Sequence, residues 1–413
     1  MSPWFALAVV TLLQVFASLA QLAYIPLGVS VQSDLDLSAT QLGGLAAAVA
    51  AGGFLTAVAS GLLIDRVGVR PVILLGPLTM ALALVAIGWA PAYAPLLALL
   101  FVVGLGHGGI TPLTSKAIAD WFPGAHRGVA MGIKQSGVTL GGAIGAAVLP
   151  LIAGAWGWRY GFQAGGLALA VVTLLSYALY REAPQRPAVM TPAASGPNPR
   201  RDRTQPGMPG WRARWAGLRH PLLAPVIAAG FVFCGYQLAV QTFFMPYLIQ
   251  ELGLPKLVAA GYLTALQLAG VVGRPLVGLI SDVLGRRLEV MAALGLCSGV
   301  GGMLLVALPE PSPWLLGTLT VLLGVSVFSW VGLFFTSITE LVNPMQAGTV
   351  SGVGFMVNGA GAAAGPLLFG ALLDATGDYG ASMQVMGLAI LCAAGVLALA
   401  PRRVATRKER PAF

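Results

Sequence analysis

Apolar residues in this chain come in long unbroken runs rather than in alternation. The runs lie near residues 4–29, 41–63, 71–90, 93–118, 129–153, 161–180, 222–248, 259–280, 288–308, 314–338, 349–373 and 379–400, with short polar connections between them. A helix needs about 20 apolar residues to cross a bilayer, so the pattern predicts twelve membrane-spanning helices. Strands of an outer-membrane barrel are about 10 residues long and alternate, and these runs do neither. The first run begins at Trp4 after a segment without basic residues, and reads as a retained helix rather than a signal peptide. Residues 181–220 interrupt the rhythm with eight arginines and several prolines. Such a stretch cannot bury enough apolar surface to pack, so it reads as a solvated linker. The expected organisation is a six-helix bundle over 1–180, a linker over 181–220, and a second six-helix bundle with a basic tail over 221–413.

Composition removes the competing classes. Of 413 residues, 57% are hydrophobic and 9% are charged, against about 25% charged in soluble domains. That excludes a soluble globular protein and a disordered chain. The three cysteines, Cys234, Cys297 and Cys392, each sit in an apolar run without metal-ligand spacing, which excludes a disulfide scaffold. The net charge is +9, but its placement speaks against nucleic acid. With both termini set in the cytoplasm, eighteen of the 23 basic residues fall on the cytoplasmic side and only Arg159 and Lys256 on the other. Such asymmetry is the topology signal of a multi-pass membrane protein, here expected in the cell membrane, all-α, and acting as a monomer in the lipid bilayer.

The chain also repeats itself. Gly61-Leu62-Leu63-Ile64-Asp65-Arg66-Val67-Gly68-Val69-Arg70 closes the second span, and Gly278-Leu279-Ile280-Ser281-Asp282-Val283-Leu284-Gly285-Arg286-Arg287 closes the eighth, 217 residues later. At an offset of 220, Gln21-Leu22-Ala23-Tyr24-Ile25-Pro26 aligns with Gln241-Thr242-Phe243-Phe244-Met245-Pro246. Repeated halves are how secondary transporters are built, with substrate held between them near the midplane. At these residues the chain resembles the major facilitator superfamily, over essentially its whole length. The resemblance implies two pseudo-symmetric six-helix bundles and alternating access. It also implies a gating role for Gly61, Asp65, Arg66, Gly68 and Arg70 and for their echo Gly278, Asp282, Gly285 and Arg286. An acidic side chain beside helix ends and basic residues can hold two halves together. The arginine usual near the start of the fourth span of that family is absent from Leu99-Leu100-Phe101-Val102-Val103-Gly104.

The acidic residues, 14 in all, fall in loops or at helix ends, whereas Arg274 and Lys134 fall within spans. An ionisable group inside a bilayer costs several kcal/mol unless paired or wet, and is functional by default. At 1.5 Å per residue, Arg274 lies about 12 Å above Asp282 and Lys134 about 10 Å above Arg127. The two cations thus come from opposite halves at similar depth, and both favour an anion. A guanidinium offers the planar fork that matches a carboxylate. Gln14 and Gln21 on the first span, Gln237 and Gln241 on the seventh, Gln267 on the eighth, Asn358 on the eleventh and His107 on the fourth complete the candidate substrate lining. Hydrogen bonding between helices is the alternative for each. No phosphate-cradling loop, metal-ligand cluster or catalytic constellation is present in the sequence. No cofactor is expected, and the protein reads as no enzyme.

Within the superfamily, Gly273-Arg274-Pro275-Leu276-Val277-Gly278 resembles the monocarboxylate and oxalate/formate carriers. Those exchangers place a lysine where this chain has Asn358. Monocarboxylate carriers have an aspartate where it has Gly270. The expected function is secondary transport of a small organic anion, by proton symport or anion exchange. The alternative is export of neutral or lipophilic compounds, as in multidrug efflux.

Overall fold

The computed structural model describes residues 1–122, 126–183, 220–342 and 344–408, and within them all side chains except those of residues 58, 62, 65, 127, 128, 344, 345 and 401–408. The interior of the linker expected over 181–220 and the side chains of Asp65 and the basic tail lie outside the described parts. Among the described residues there are helices and no strands, and twelve units are long and apolar enough to cross a membrane. Spans 1 to 6 are Pro3–Leu22 with Tyr24–Leu35, Ala39–Val67, Val69–Ile87, Tyr93–His107 with Ile110–Trp121, Arg127–Trp156, and Trp158–Leu179. Spans 7 to 12 are Leu223–Gln250, Lys256–Leu284, Arg287–Ala307, Pro313–Glu340, Pro344–Thr376 and Tyr379–Lys408.

Ten spans are continuous; spans 1 and 4 are broken, a difference from the unbroken helices that the apolar runs suggest. Proline supplies the cause in both. A proline ring clashes with the carbonyl four residues earlier and offers no N–H to it. Four residues before Pro26 is Leu22, where the first segment of span 1 stops. Four residues before Pro112 is Gly108, where span 4 stops before resuming at Ile110. Span 7 runs through Pro246, the repeat partner of Pro26, without a break.

Packing follows the internal repeat. Span 1 packs on 5, 2 on 4, and 3 on 6; in the second set 7 packs on 11, 8 on 10, and 9 on 12. Adding six to each number in the first set gives the second. The two most extensive contacts between the sets are span 2 on 11 and span 5 on 8, which are symmetric counterparts. Lipid is as apolar as leucine, so such helices associate by close backbone approach and hydrogen bonding rather than by burial. Glycine permits the approach: Gly365 lies against the backbone of Gly235 between spans 11 and 7, and Gly43 and Gly370 bring spans 2 and 11 together against Pro366 and Ala39. Leucines and valines such as Leu75, Leu82, Leu279 and Val283 remain outward-facing, where a membrane would cover them.

Twelve crossings return the chain to the face on which it began. Hydrogen bonds between the two sets of spans cluster at the other face. Ala39 and Thr40, the first residues of span 2, donate their backbone N–H groups to the two carboxylate oxygens of Asp374 on span 11, each at 2.8 Å. Nearby, Gln250 Nε2 of span 7 donates to Gln32 Oε1 of span 1. Asp374 places a negative charge on a helix N-terminus, where the macrodipole and the free N–H groups both favour it.

Opening this mouth must break that contact. Asp374→Asn should favour the open form by about fivefold, the equivalent of roughly 1 kcal/mol for one half-exposed charge-assisted contact. The check is the rate at which a membrane-impermeant maleimide labels Val31→Cys, a position buried in this conformation, in a background lacking the natural cysteines. An unchanged rate would remove the latch role.

Candidate functional site

Span 8 carries Arg274 between Gly273 and Pro275, ten residues before the helix ends at Leu284. The missing side chain at Gly273 lets span 10 come close, with Val325 and Ser329 near the position a Cβ would take. The guanidinium is half-buried. Its Nε donates to the carbonyl of Phe328 on span 10 at 3.1 Å, and its Nη1 donates to the carbonyl of Gln135 on span 5 at 3.2 Å. The guanidinium carbon lies 6.0 Å from the Phe328 ring centre, within cation–π range. Arg274 thus reaches from one set of spans to the other, and its partner residue Gln135 directly follows Lys134. Among the described residues no carboxylate lies within ion-pair distance of Arg274 or Lys134.

Lys134 is nearly sealed, at 2% exposure, and donates to Ser115 Oγ of span 4 at 3.1 Å. Gln14 is fully buried and committed at both ends: Nε2 donates to Ser18 Oγ, and Oε1 accepts from Thr114 of span 4. That arrangement ties spans 1 and 4 together inside the first set, the helix-to-helix role set against substrate contact. Gln237 on span 7 accepts through Oε1 from the indole N–H of Trp330 on span 10 at 2.9 Å. Gln267 is buried over Gly142 of span 5, across the two sets, and its Oε1 is without a partner among the described residues. Asn358 lies over Gly230 of span 7 with Oδ1 likewise unpaired. Gln241 is buried and Gln21 half-buried. His107 ends the first segment of span 4, half-buried at the break.

The motif residues take local roles. Gly68 turns the chain from span 2 into span 3 with φ of +85°, a conformation open to glycine. Gly285 ends span 8 in the left-handed region and donates its N–H to Ser281 O. Arg70 donates its backbone N–H to Glu182 and stacks on Tyr177, tying span 3 to the end of span 6. Arg66 is exposed, and a Cβ on Gly61 or Gly278 would meet nothing within 4 Å. Asp282 accepts from Arg287 at 2.8 Å, Arg287 also donates to Glu340, and Arg286 pairs with Glu289. These described contacts stay within one set of spans.

Sequence reasoning missed Gln135, Phe328, Trp330 and Asp374. Two of them act through backbone carbonyls, which carry no sequence signal. Trp330 lies in an apolar run, where it reads as packing. Asp374 reads as an ordinary loop-end acid until the fold brings span 2 to it.

Two repeated sets of six spans, meeting along symmetric seams around an internal cation, have the architecture of a membrane transporter. The chain belongs to the Major Facilitator Superfamily, whose profile matches residues 10–366. It is 30% identical over 371 residues to the probable sulfoacetate transporter SauU of Cupriavidus necator, an alignment covering 86% of this chain and 84% of that protein. It is 26% identical over 391 residues to the hexuronate transporter of Bacillus subtilis, covering 89% and 87%. Among solved structures, a bacterial homolog of the human lysosomal transporter Spinster, inward-facing and occupied, aligns with a TM-score of 0.78 at 21% identity over 98% of each chain. That last likeness is one of fold.

The Gln14 network should prove structural. Interhelical hydrogen bonds in a membrane protein are worth roughly 0.6 kcal/mol each. Gln14→Leu is therefore expected to lower the melting temperature in detergent by a few degrees and to leave apparent substrate affinity within about twofold. A tenfold loss of affinity with unchanged melting would place Gln14 in the site instead.

Proposed function

We propose that this protein is a secondary transporter of a small organic anion, with Arg274 as the residue that receives the acidic group. The observation that carries the reading is the state of that guanidinium: between the two sets of spans, part-buried, and among the described residues hydrogen-bonded to the carbonyls of Phe328 and Gln135 alone. Those carbonyls belong to helix interiors and already accept helical hydrogen bonds. A carboxylate or sulfonate offers a charged, two-oxygen acceptor that matches the guanidinium fork far better. The relatives named for sulfoacetate and hexuronate act on acidic substrates, which agrees with this chemistry.

Transport then follows from the geometry. An anion that draws Arg274 away from Gln135 O removes a tie between spans 8 and 5 and neutralises a charge at the seam. Both changes lower the cost of moving one set of spans against the other. The basic excess supports a cytoplasmic terminal face, and on that reading the mouth closed by Asp374 is the outer one. Asp65 and Asp282 bias the inner mouth. Lys134, one residue from Gln135, adds positive potential beside the site, with no carboxylate partner among the described residues.

Uptake of labelled lactate, pyruvate, formate, oxalate, acetate, nitrate, sulfoacetate and glucuronate into proteoliposomes tests the reading. Saturable uptake of at least one organic acid is expected in the wild type, reduced at least about a hundredfold in Arg274→Gln, as for loss of a buried charged contact. Dependence on a pH gradient identifies symport, and dependence on internal anion identifies exchange. Uptake of none, or uptake indifferent to Arg274, would overturn the anion reading in favour of export of neutral or lipophilic compounds.

A further inference from the structure

We propose that Trp330 is a positioning residue of the anion site: its indole fixes the Gln237 side chain so that the amide presents its NH2 group, and not its oxygen, toward the substrate. The inference rests on the anion reading above and adds a second recognition element to it. An indole N–H can only donate. The amide atom that faces Trp330 Nε1 at 2.9 Å must therefore be the oxygen. This settles the orientation of a group whose two ends otherwise look alike. The nitrogen of Gln237 is then turned away from span 10 with two donors to offer.

Three observations give this orientation a use. Gln237 keeps 9% exposure, and its Nε2 is absent from the sealed, unpaired polar atoms that include Gln267 Oε1 and Asn358 Oδ1. The donor end therefore stays reachable. Second, span 10 supplies a partner to each group: the Phe328 carbonyl accepts from Arg274 Nε, and the Trp330 indole donates to Gln237. Third, Trp330 itself is immobilised. It is 1% exposed and packs between Phe233 at 5.5 Å and Phe334 at 5.8 Å between ring centres.

The first half has no such device. At the repeat offset of 220, Trp330 corresponds to Ile110 and Gln237 to Ala17. The glutamine that the first half does bury, Gln14, spends both its oxygen and its nitrogen on Thr114 and Ser18. Directional recognition is therefore concentrated on spans 7, 8 and 10. An amide locked with its donors outward favours acceptor-only groups, carboxylate or sulfonate oxygens. It disfavours donor-only groups such as ammonium at that point, because a free amide could rotate to meet them and this one cannot.

The test uses uptake kinetics of the full chain in proteoliposomes, with sulfoacetate and glucuronate as probes, on a double-mutant cycle. Trp330→Phe keeps the ring and removes the N–H. It is expected to raise KM by about tenfold with Vmax little changed. In a Gln237→Leu background the same change should add less than twofold, because Trp330 acts through Gln237. Full additivity of the two effects would overturn the inference while leaving the anion reading intact. Gln237→Glu serves where Trp330→Phe fails to fold. It is isosteric and keeps an acceptor for the indole, but replaces the outward NH2 with an anionic oxygen. Uptake should fall at least about a hundredfold, and wild-type uptake in this variant would also overturn the inference. Absence of saturable anion uptake in the wild type would bring down the anion reading and this inference together.

Discussion

Carrying a guanidinium into the interior of a membrane protein costs several kcal/mol unless the charge is paired or wet. Arg274 meets that constraint with two helix carbonyls, one from its own set of spans and one from the other. Much else depends on this arrangement. Gly273 lets span 10 come near enough for Phe328 to serve as partner. The seam between spans 5 and 8 must bring Gln135 within reach, and Gly142 permits that seam by leaving room for Gln267. Backbone oxygens satisfy the hydrogen-bonding demand of the guanidinium without neutralising its charge. The guanidinium therefore keeps its charge available within the fold.

The two seams between the sets of spans are equal in topology and unequal in chemistry. The seam of spans 5 and 8 carries the cation and the buried glutamine. The seam of spans 2 and 11 carries small residues and, at its far end, the Asp374 carboxylate on the N-terminus of span 2. The contact at Asp374 mirrors the logic of an acid at a helix end that the motif at Asp65 suggests, but at the opposite face.

The motif residues show how one sequence signal can mix two demands. Gly68 and Gly285 answer to backbone geometry, because the chain turns there with positive φ. Asp282, Arg286 and Arg287 answer to charge, and with Glu340 and Glu289 they form exposed pairs within one set of spans. Exposed pairs contribute little to stability.

Sequence alone determined the twelve crossings, because a bilayer fixes the length of an apolar run, and the internal repeat, because motif and spacing survive in the chain. It also determined the family, and it marked Arg274 and Lys134 as unusual, because charge inside an apolar run is visible without any fold. The breaks in spans 1 and 4 were half visible: Pro26 and Pro112 are in plain view, yet Pro246 and Pro275 sit in unbroken helices. Only the tertiary structure decided which polar residues spend their hydrogen bonds on one another. Gln14 and Gln237 are indistinguishable along the chain, but one is consumed by Thr114 and Ser18 and the other is aimed by Trp330. The physical reason is that a glutamine's role depends on which partner faces each end of its amide. The deciding partners, Thr114 and Trp330, lie 100 and 93 residues away in sequence, where no local pattern reaches.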